Sequence, residues 1–346
     1  MSKKRYYYVT GNTAEGFKNY LQTNMEHLTQ VFILKHDSNT LKTAVIKKLI
    51  DTYSSDHDIE ILKSPLGGEY LDGMIIREKS IGIIIDNIVT STLANAIEIN
   101  LHAAFVNSPS IDDTKEKFHT LTKDAHDHFR TGLKIHDDLE AIYIKEMNFN
   151  LGDQLTEELI EKLMQNQPIQ NRQAHTYHRL FGTNTADGVV NEVPHLTSNI
   201  KNVTYIKGRA GTGKSTLMKK IANACQQKGF DVELYHCSFD PNSLDMVLVR
   251  ELDFCIFDST DPHEFFPSRE GETILDLYKE TVTPGTDERF ATEIHEVNQH
   301  YKSFMKKGID KLKEAGEYLD VLESQWSFTE KDIEEAVEAI LEKAGK

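Results

Sequence analysis

NVTYIKGRAGTGKSTLMKK, at Asn202–Lys220, combines a β-branched and aromatic run, a glycine-rich turn and the start of a helical segment. The turn satisfies the pattern GxxxxGK[ST] in full through Gly208, Gly213, Lys214 and Ser215. Glycines permit positive φ angles, which turn backbone N–H groups inward onto phosphate oxygens, and the helix N-terminus adds its positive dipole at the same place. The stretch therefore predicts a strand, a phosphate-binding loop and a helix of an α/β fold.

This loop predicts a site for ATP and Mg²⁺ in the second half of the chain. Lys214 is expected to reach the β and γ phosphates, Ser215 to coordinate Mg²⁺ and Thr216 to contact the α-phosphate. Asp258 ends the mainly apolar run DFCIFD and is expected to hold the metal from a neighbouring strand, although it could also cap a turn. ATP is favoured over GTP because the sequence has no Asn-Lys-x-Asp stretch. The predicted metal ligands are Ser215 and Asp258, and the predicted nucleotide-binding residues are Gly208, Arg209, Ala210, Gly211, Thr212, Gly213, Lys214, Ser215 and Thr216.

For the general base, the residue that activates the reacting water or acceptor, the sequence offers several candidates. No Glu follows Asp258, the position that often supplies this carboxylate. Acidic residues in HCSFDP and DSTDPHEF follow strand ends, where ligands bind in open α/β sheets. They are candidates for the general base, and the alternative is that they are solvated loop residues with no catalytic role. The predicted catalytic set is Lys214, Asp258, Asp261 and Glu264, with Asp240 as a further candidate base. The candidates for neutralising phosphoryl charge are Arg209, Arg179 and Arg269.

A second feature is an internal repeat with an offset of 172 residues. NTAEG at Asn12–Gly16 matches NTADG at Asn184–Gly188, and Asp86 matches Asp258. Matches that stay in register across several elements predict a duplication. The polar, Pro-containing stretch Gln165–His175 has the composition of a linker. The predicted domains are 1–165, a degenerate P-loop NTPase-like domain, and 174–346, a nucleotide-binding P-loop NTPase domain.

Strands alternate with helices in each half, which predicts the fold class α/β: two tandem P-loop NTPase-like three-layer α/β/α domains with parallel sheets and C-terminal helical extensions. The NTxxG turns are interpreted as helix entrances, with a position bordering the nucleotide as the alternative for Asn184–Gly188. The stretch before each strand that ends in Asp86 or Asp258 is interpreted as a loop. The helical segments at 113–145 and 287–325, and the acidic ends of both halves, are expected to pack as a scaffold or to bind a partner.

The first half has lost the glycine pattern. It reads KHDSNTLKT, so His36 and Leu41 replace the two defining glycines while Lys42 and Thr43 remain. A side chain at the second position obstructs the approach of backbone to phosphate, and Asp37 adds negative charge. This half is predicted to bind triphosphate poorly and to serve as a structural or regulatory partner.

Composition narrows the class of protein. The chain has 346 residues, a net charge of −16 and three widely spaced cysteines. Nucleic acid is an unlikely partner because binding its phosphates needs a surplus of Lys and Arg. The spacing of the cysteines and the lack of a long apolar segment predict a cytoplasmic protein with no membrane partner. Solvated helix positions are favoured over metal binding for His119, His126, His128 and His136.

The second half, from GRAGTGKSTLMKK to FDSTDPHEFFP, resembles a family of tandem-duplicated P-loop ATPases of Gram-positive bacteria, within the P-loop NTPase superfamily. The resemblance implies ATP binding through Gly208, Gly211, Gly213, Lys214, Ser215 and Thr216. The leading hypothesis is therefore a Mg²⁺-dependent ATPase. One alternative is a small-molecule phosphotransferase, in which the loops Asp240–Asp245 and Asp261–Phe266 hold the acceptor; the other is a non-hydrolysing nucleotide sensor. A homo-oligomer or a protein partner at the helical ends is left open.

Overall fold

The computed structural model describes residues 3–93, 95–105 and 111–345. In the first half the elements are β1 (Lys4–Tyr8), β2 (Thr10–Thr13), β3 (Gly16–Asn19), α1 (Leu21–Met25), β4 (Gln30–Lys35), α2 (Asn39–Tyr53), β5 (Ile59–Lys63), β6 (Leu71–Ile76), β7 (Ile81–Ile85), β8 (Ala96–Asn100), β9 (Ala104–Phe105), α3 (Ile111–Glu146) and α4 (Phe149–Met164).

In the second half the elements are β10 (Thr176–Arg179), β11 (Gly182–Thr185), β12 (Gly188–Asn191), α5 (Val193–Thr197), β13 (Asn202–Lys207), α6 (Lys214–Gln227), β14 (Val232–His236), β15 (Leu244–Val249), β16 (Phe254–Asp258), β17 (Glu272–Asp276), α7 (Leu277–Thr281), α8 (Thr286–Arg289), α9 (Ala291–Glu323), β18 (Trp326–Ser327) and α10 (Glu330–Lys343).

Two six-stranded sheets carry most of the fold. Their orders are β1-β5-β6-β7-β4-β8 and β10-β14-β15-β16-β13-β17, so strands at corresponding places in the two halves occupy corresponding places in the sheets. In the second sheet β13 pairs in parallel with both β16 and β17, which brings the strand before the phosphate loop beside the strand that ends at Asp258. The chain is thus a mixed α/β protein whose sheets contain parallel pairs.

The prediction of parallel sheets is wrong, because each sheet contains one antiparallel strand. β6 and β15, interpreted as loops, are buried strands that run antiparallel to both neighbours. Only a short 3₁₀ turn, Arg77–Lys79 or Arg250–Leu252, separates each from the next strand. A parallel crossover needs a dozen or more residues, so connections this short force an antiparallel hairpin.

The NTxxG turns are hairpins and not helix entrances. Each turn joins two strands, β2 to β3 and β11 to β12, and the two hairpins associate into one four-stranded sheet, β12-β11-β2-β3. At its centre the Asn12 side-chain amide donates to the Asn184 carbonyl at 2.9 Å, and the Asn184 amide donates to the Asn12 carbonyl at 3.0 Å. The repeated motif therefore joins the two halves.

The helices also cross between the halves. α4, from the first half, packs on α6 of the second, while α10, from the end of the chain, packs on α2 and β8 of the first. The long helices α3 and α9 lie against each other. α10 is capped by Thr329, which forms a capping box with Asp332. None of the described helices is long and apolar enough to span a membrane.

Candidate functional site

The predicted phosphate loop has the backbone that its glycines allow. β13 ends at Lys207 and α6 begins at Lys214, with Gly211 and Gly213 at φ angles of 72° and 80°. A Cβ atom on Gly211 would lie 2.8 Å from the carbonyl oxygen of Glu140. Gly211 is therefore required both for its positive φ and for the close approach of α3.

Lys214, Ser215 and Asp258 converge at the start of α6. The Lys214 ammonium lies 3.5 Å from an Asp258 carboxylate oxygen and donates to the Arg209 carbonyl at 2.7 Å. The Ser215 hydroxyl oxygen accepts the Leu244 backbone N–H at 2.9 Å. The register of β13 and β16, which pairs Ile206 with Asp258, sets this arrangement.

A second carboxylate, Asp245 on β15, lines the same cavity. It follows Leu244, whose N–H bonds Ser215, and it accepts a hydrogen bond from the Cys237 thiol. Burial, and then the negative charge of Asp258, raise the pKa of Asp245 above its usual range. From the sequence, Asp245 is expected in a loop that could hold an acceptor, and not among the catalytic or metal-binding residues. The repeat match of Leu71-Asp72 with Leu244-Asp245 was the signal available.

The donor set fits a magnesium ion. Ser215 offers a hydroxyl and Asp245 and Asp258 offer carboxylates, and Mg²⁺ is bound by oxygen donors of this kind. The two acids are close enough for the charge of Asp258 to raise the pKa of Asp245, so a cation between them would relieve their repulsion.

The two other predicted catalytic acids lie at the rim of the cavity in ion pairs. Asp261 pairs with Lys302 at 2.6 Å, and Glu264 pairs with Lys207 at 3.1 Å. Lys207 also donates to the Ser259 carbonyl at 2.8 Å, so its ammonium ties the loop after β16 to the end of β13.

The three candidate arginines have different surroundings. Arg209 lines the cavity, where Asp287 accepts from its guanidinium at 2.8 Å. Arg179 is 1% exposed and lies between the two sheets, away from the loop. Arg269 donates to the Thr197 and Ser198 carbonyls. Arg179 and Arg269 do not line the cavity, so of the three only Arg209 is placed to meet a phosphate.

The loop opens into a cavity of about 1290 Å³ whose far wall is built by α3 and α9. Helix α3 belongs to the first half of the chain, so a nucleotide at the loop would contact both halves. The apolar side chains on this wall include Leu139, Tyr143 and Ile144 from α3 and Ile294, Tyr301 and Met305 from α9.

Two titratable groups of α3 face the loop. The Glu140 carboxylate accepts a hydrogen bond from the Gly211 backbone, and burial, then the charge of Asp137, raise its pKa. Burial, then the charge of Lys214, lower the pKa of His136. Sequence patterns gave no sign that this helix reaches the loop, because the contact depends on how the halves pack.

In the first half a carboxylate lies at the corresponding helix start. Glu323, at the end of α9, accepts from the Ser38 hydroxyl at 2.7 Å and from the Asn39 and Thr40 N–H groups at 2.8 and 3.1 Å. Lys42 is fully buried and pairs with Asp86 at 2.8 Å. Lys42 and Asp86 thus repeat the pair of Lys214 and Asp258, but the backbone amides are bound to a carboxylate.

The four histidines of α3 do not form a cluster. His126 bonds the Asn12 side chain at 2.9 Å and lines, with His119, a smaller cavity of about 410 Å³. His136 lines the cavity at the phosphate loop, and the His128 ring lies 6.0 Å from the Phe304 ring between centroids. Among the residues that the structure describes, the ligand atoms close enough to share a metal belong to Glu26, His27 and His175.

A family model described as an AAA domain matches residues 190–238. The matched segment runs from β12 through the phosphate loop and α6 to just past β14. No curated protein and no solved structure matches the chain. The match supports a place in the P-loop NTPase superfamily.

Proposed function

We propose that this protein is a Mg²⁺-dependent ATPase whose site lies in the repeat 174–346, with the repeat 1–165 as its structural partner. The observation that carries the proposal is the loop Gly208–Gly213, with two residues at positive φ, ending where Lys214, Ser215 and Asp258 converge. The AAA-type match to this region supports a nucleotide hydrolase.

Each side chain has a role in this proposal. Lys214 would exchange its bond to the Arg209 carbonyl for the β and γ phosphates, while Ser215 and Asp258 would hold the metal. Mg²⁺ would supply charge neutralisation on the phosphate oxygens. Arg209, which shares Asp287 with the Tyr143 hydroxyl, would offer a further positive charge at the loop.

The equal strand orders of the two sheets support an internal duplication into two P-loop NTPase-like units of three layers, as in the tandem ATPases that the sequence resembles. Glu323 supports a first repeat that does not bind triphosphate, because its carboxylate satisfies the amides that a phosphate would need. The free cysteines Cys225, Cys237 and Cys255 agree with a reducing cytoplasm.

A phosphotransferase is the second candidate because of the size of the cavity. Small-molecule sites typically enclose about 300–1,000 Å³, and this cavity, about 1290 Å³, is larger. His295, Asn298 and Lys302 of α9 line it together with the loop and would face an acceptor. An acceptor that accelerates ADP release and becomes phosphorylated would select this function over hydrolysis.

The first prediction concerns Lys214→Ala, which removes the ammonium expected to meet the β and γ phosphates. We expect ATP binding, measured by titration calorimetry with Mg²⁺, and phosphate release both to be lost. The matched control is Lys42→Met in the first repeat, which keeps the length of the buried side chain and is expected to retain ATP binding at a lower stability.

Three outcomes separate the hypotheses. Phosphate release that disappears in Lys214→Ala supports the ATPase, and tight binding without turnover in the wild type indicates a sensor. ATP binding that survives Lys214→Ala but is lost in Lys42→Met would show that ATP binds at the first repeat, and would contradict the proposal.

A further inference from the structure

Glu26, His27 and His175 lie close together, outside the lining of the cavity at the phosphate loop. One potential ligand atom from each lies within 4.8 Å of those from the other two. Glu26 and His27 directly follow α1 in the first repeat, and His175 directly precedes β10 of the second. None of the three lines the cavity at the phosphate loop. The group therefore has no role in the function proposed above.

His175 is held in a form suited to metal binding. Its backbone N–H donates to the Asp231 carboxylate at 2.7 Å, and its ring Nε2 lies 3.1 Å from the Thr23 carbonyl oxygen. A carbonyl can only accept, so Nε2 carries the proton and Nδ1 keeps the lone pair of the neutral imidazole. Metal-bound histidines commonly donate their second ring N–H to a backbone carbonyl in this way.

His27 adopts a backbone conformation that is uncommon for a residue with a side chain. Its φ angle is 69°, and its ring meets the ring of His175 edge to face with centroids 4.9 Å apart. Left-handed conformations in non-glycine residues are costly and concentrate at functional positions. Here the conformation accompanies the approach of the two imidazoles.

The repeat offers an internal comparison, since the fold presents the same place twice. At the offset of 172 residues, Ser198 and Asn199 correspond to Glu26 and His27, and Lys3 corresponds to His175. Asn199, a residue type that tolerates positive φ better than His, has no positive φ. The fold therefore requires neither these three residue types nor the left-handed turn at His27.

We propose that Glu26, His27 and His175 form a binding site for a transition metal ion of the Zn²⁺ class. Two imidazoles and one carboxylate favour Zn²⁺ and its neighbours in the first row over Mg²⁺ or Ca²⁺, which prefer oxygen donors alone. Three protein ligands leave a fourth tetrahedral position for water or another ligand. The ion would join the first repeat to the start of the second.

The test is a calorimetric titration of the full chain with Zn²⁺ alone, after chelator treatment and without nucleotide or Mg²⁺. We expect one Zn²⁺ per chain that is lost in His175→Ala, and a dissociation constant raised by at least about tenfold in Glu26→Gln. The control is His195→Ala, which removes another exposed histidine and should bind Zn²⁺ as the wild type does.

Glu26→Gln changes an exposed side chain and keeps the test usable if His175→Ala does not fold. No Zn²⁺ binding by the wild type, or equal binding by wild type, His175→Ala and Glu26→Gln, would overturn the proposal. The result is independent of the ATPase, because Zn²⁺ binding here is measured without nucleotide and ATP binding in Lys214→Ala is measured without Zn²⁺.

Discussion

At the scale of single residues, Asp245 is the carboxylate best placed to receive a proton from the attacking water. It shares the cavity with Lys214 and Asp258, whereas Asp261 and Glu264 are held at the rim by lysines. We expect Asp245→Asn to lower the turnover number for ATP by about 10²-fold or more, the usual contribution of a positioned base. ATP affinity should change little, because Lys214 and the loop amides remain.

Single-turnover phosphate release and ATP titration, measured on the same preparation, separate the two effects. Asp261→Asn and Glu264→Gln form the comparison. If either of them stops turnover while Asp245→Asn hydrolyses ATP at the wild-type rate, then the base is at the rim and the assignment to Asp245 is wrong.

Asp72, the counterpart of Asp245 in the first repeat, should make stability depend on pH. It is 1% exposed, and burial raises its pKa to about 6 despite bonds from the Thr10 and Ser64 hydroxyls. A carboxyl whose pKa rises on folding favours the folded state at low pH, and this contribution is lost as the pH rises from about 4 through 6. The shift of about two pKa units corresponds to about 3 kcal/mol.

We therefore expect Asp72→Asn to remove most of that loss. Urea unfolding at pH 4 and pH 7.5 measures it: the variant should gain stability relative to the wild type at the higher pH. Asp56→Asn, at an exposed position, is the control and should follow the wild type. A variant that loses the same stability as the wild type between the two values would contradict the role of Asp72.

A site residue could be predicted from the sequence when its pattern lies within a few consecutive residues. Gly208, Gly213, Lys214 and Ser215 lie in one turn, so their pattern was readable, and the positive φ of Gly213 agrees with it. Asp245 depends on an antiparallel strand whose neighbours are distant in sequence. Its site role was therefore missed.

At the scale of elements, the end of α9 is fixed to the start of α2 by Glu323. Its carboxylate accepts three hydrogen bonds from Ser38, Asn39 and Thr40 at the positive end of the helix dipole. We expect Glu323→Ala to lower the free energy of unfolding by about 1–2 kcal/mol, since these are bonds to a charged group that is partly exposed. Urea unfolding measures the loss.

An added anion gives the sharper readout. Inorganic phosphate should stabilise Glu323→Ala more than it stabilises the wild type, because the Asn39 and Thr40 N–H groups, without the carboxylate, can donate to an external anion. Glu317→Ala, an exposed substitution on the same helix, should show neither the loss nor the extra gain. Equal stabilisation of Glu323→Ala and the wild type by phosphate would mean that the amides at α2 form no anion site.

A strand or helix could be predicted where its pattern of apolar residues runs over enough consecutive positions. The strand and helix around the loop, and the capped start of α10 at Thr329, follow the sequence pattern. The NTxxG hairpins were misread because their strands have four residues each and obtain partners from the other repeat. Short strands of this kind carry too few positions to show alternation.

At the scale of the whole molecule, helices of each half of the chain pack on the other half, and this could not be predicted from the sequence. α4 and α10 each pack on the half of the chain to which they do not belong. The amphipathic pattern of a helix shows that one face is buried, but it does not show which surface covers that face. The position of α3 over the phosphate loop also depends on how the two halves pack, so the cavity wall could not be predicted either.

Arg179 is the charged centre of the contact between the sheets. Its guanidinium lies 3.2 Å from Glu60 of the first repeat, 3.0 Å from Glu233 of the second, and 3.9 Å from the centre of the Tyr7 ring. Burial opposes ionisation of Glu233, but Arg179 and then Arg250 lower its pKa to about 2. The pKa of Glu60 is lowered as well, by Arg77 and Arg179 acting against burial.

Arg179→Met keeps most of the side-chain volume and leaves two buried carboxylates short of a partner. Removing one member of a buried ionic group costs about 3–5 kcal/mol, and the lower end is expected because each carboxylate keeps its own arginine, Arg77 or Arg250.

The destabilisation by Arg179→Met should depend on pH. A carboxyl whose pKa falls on folding stabilises the fold above its unfolded pKa, near 4.3, and this contribution is lost as the pH falls towards the folded pKa. The deficit of the variant should therefore be full at pH 7 and smaller at about pH 3.5. Urea unfolding at both values measures it, and a deficit that is the same at both would show that Arg179 acts through packing on Tyr7 and not through its charge.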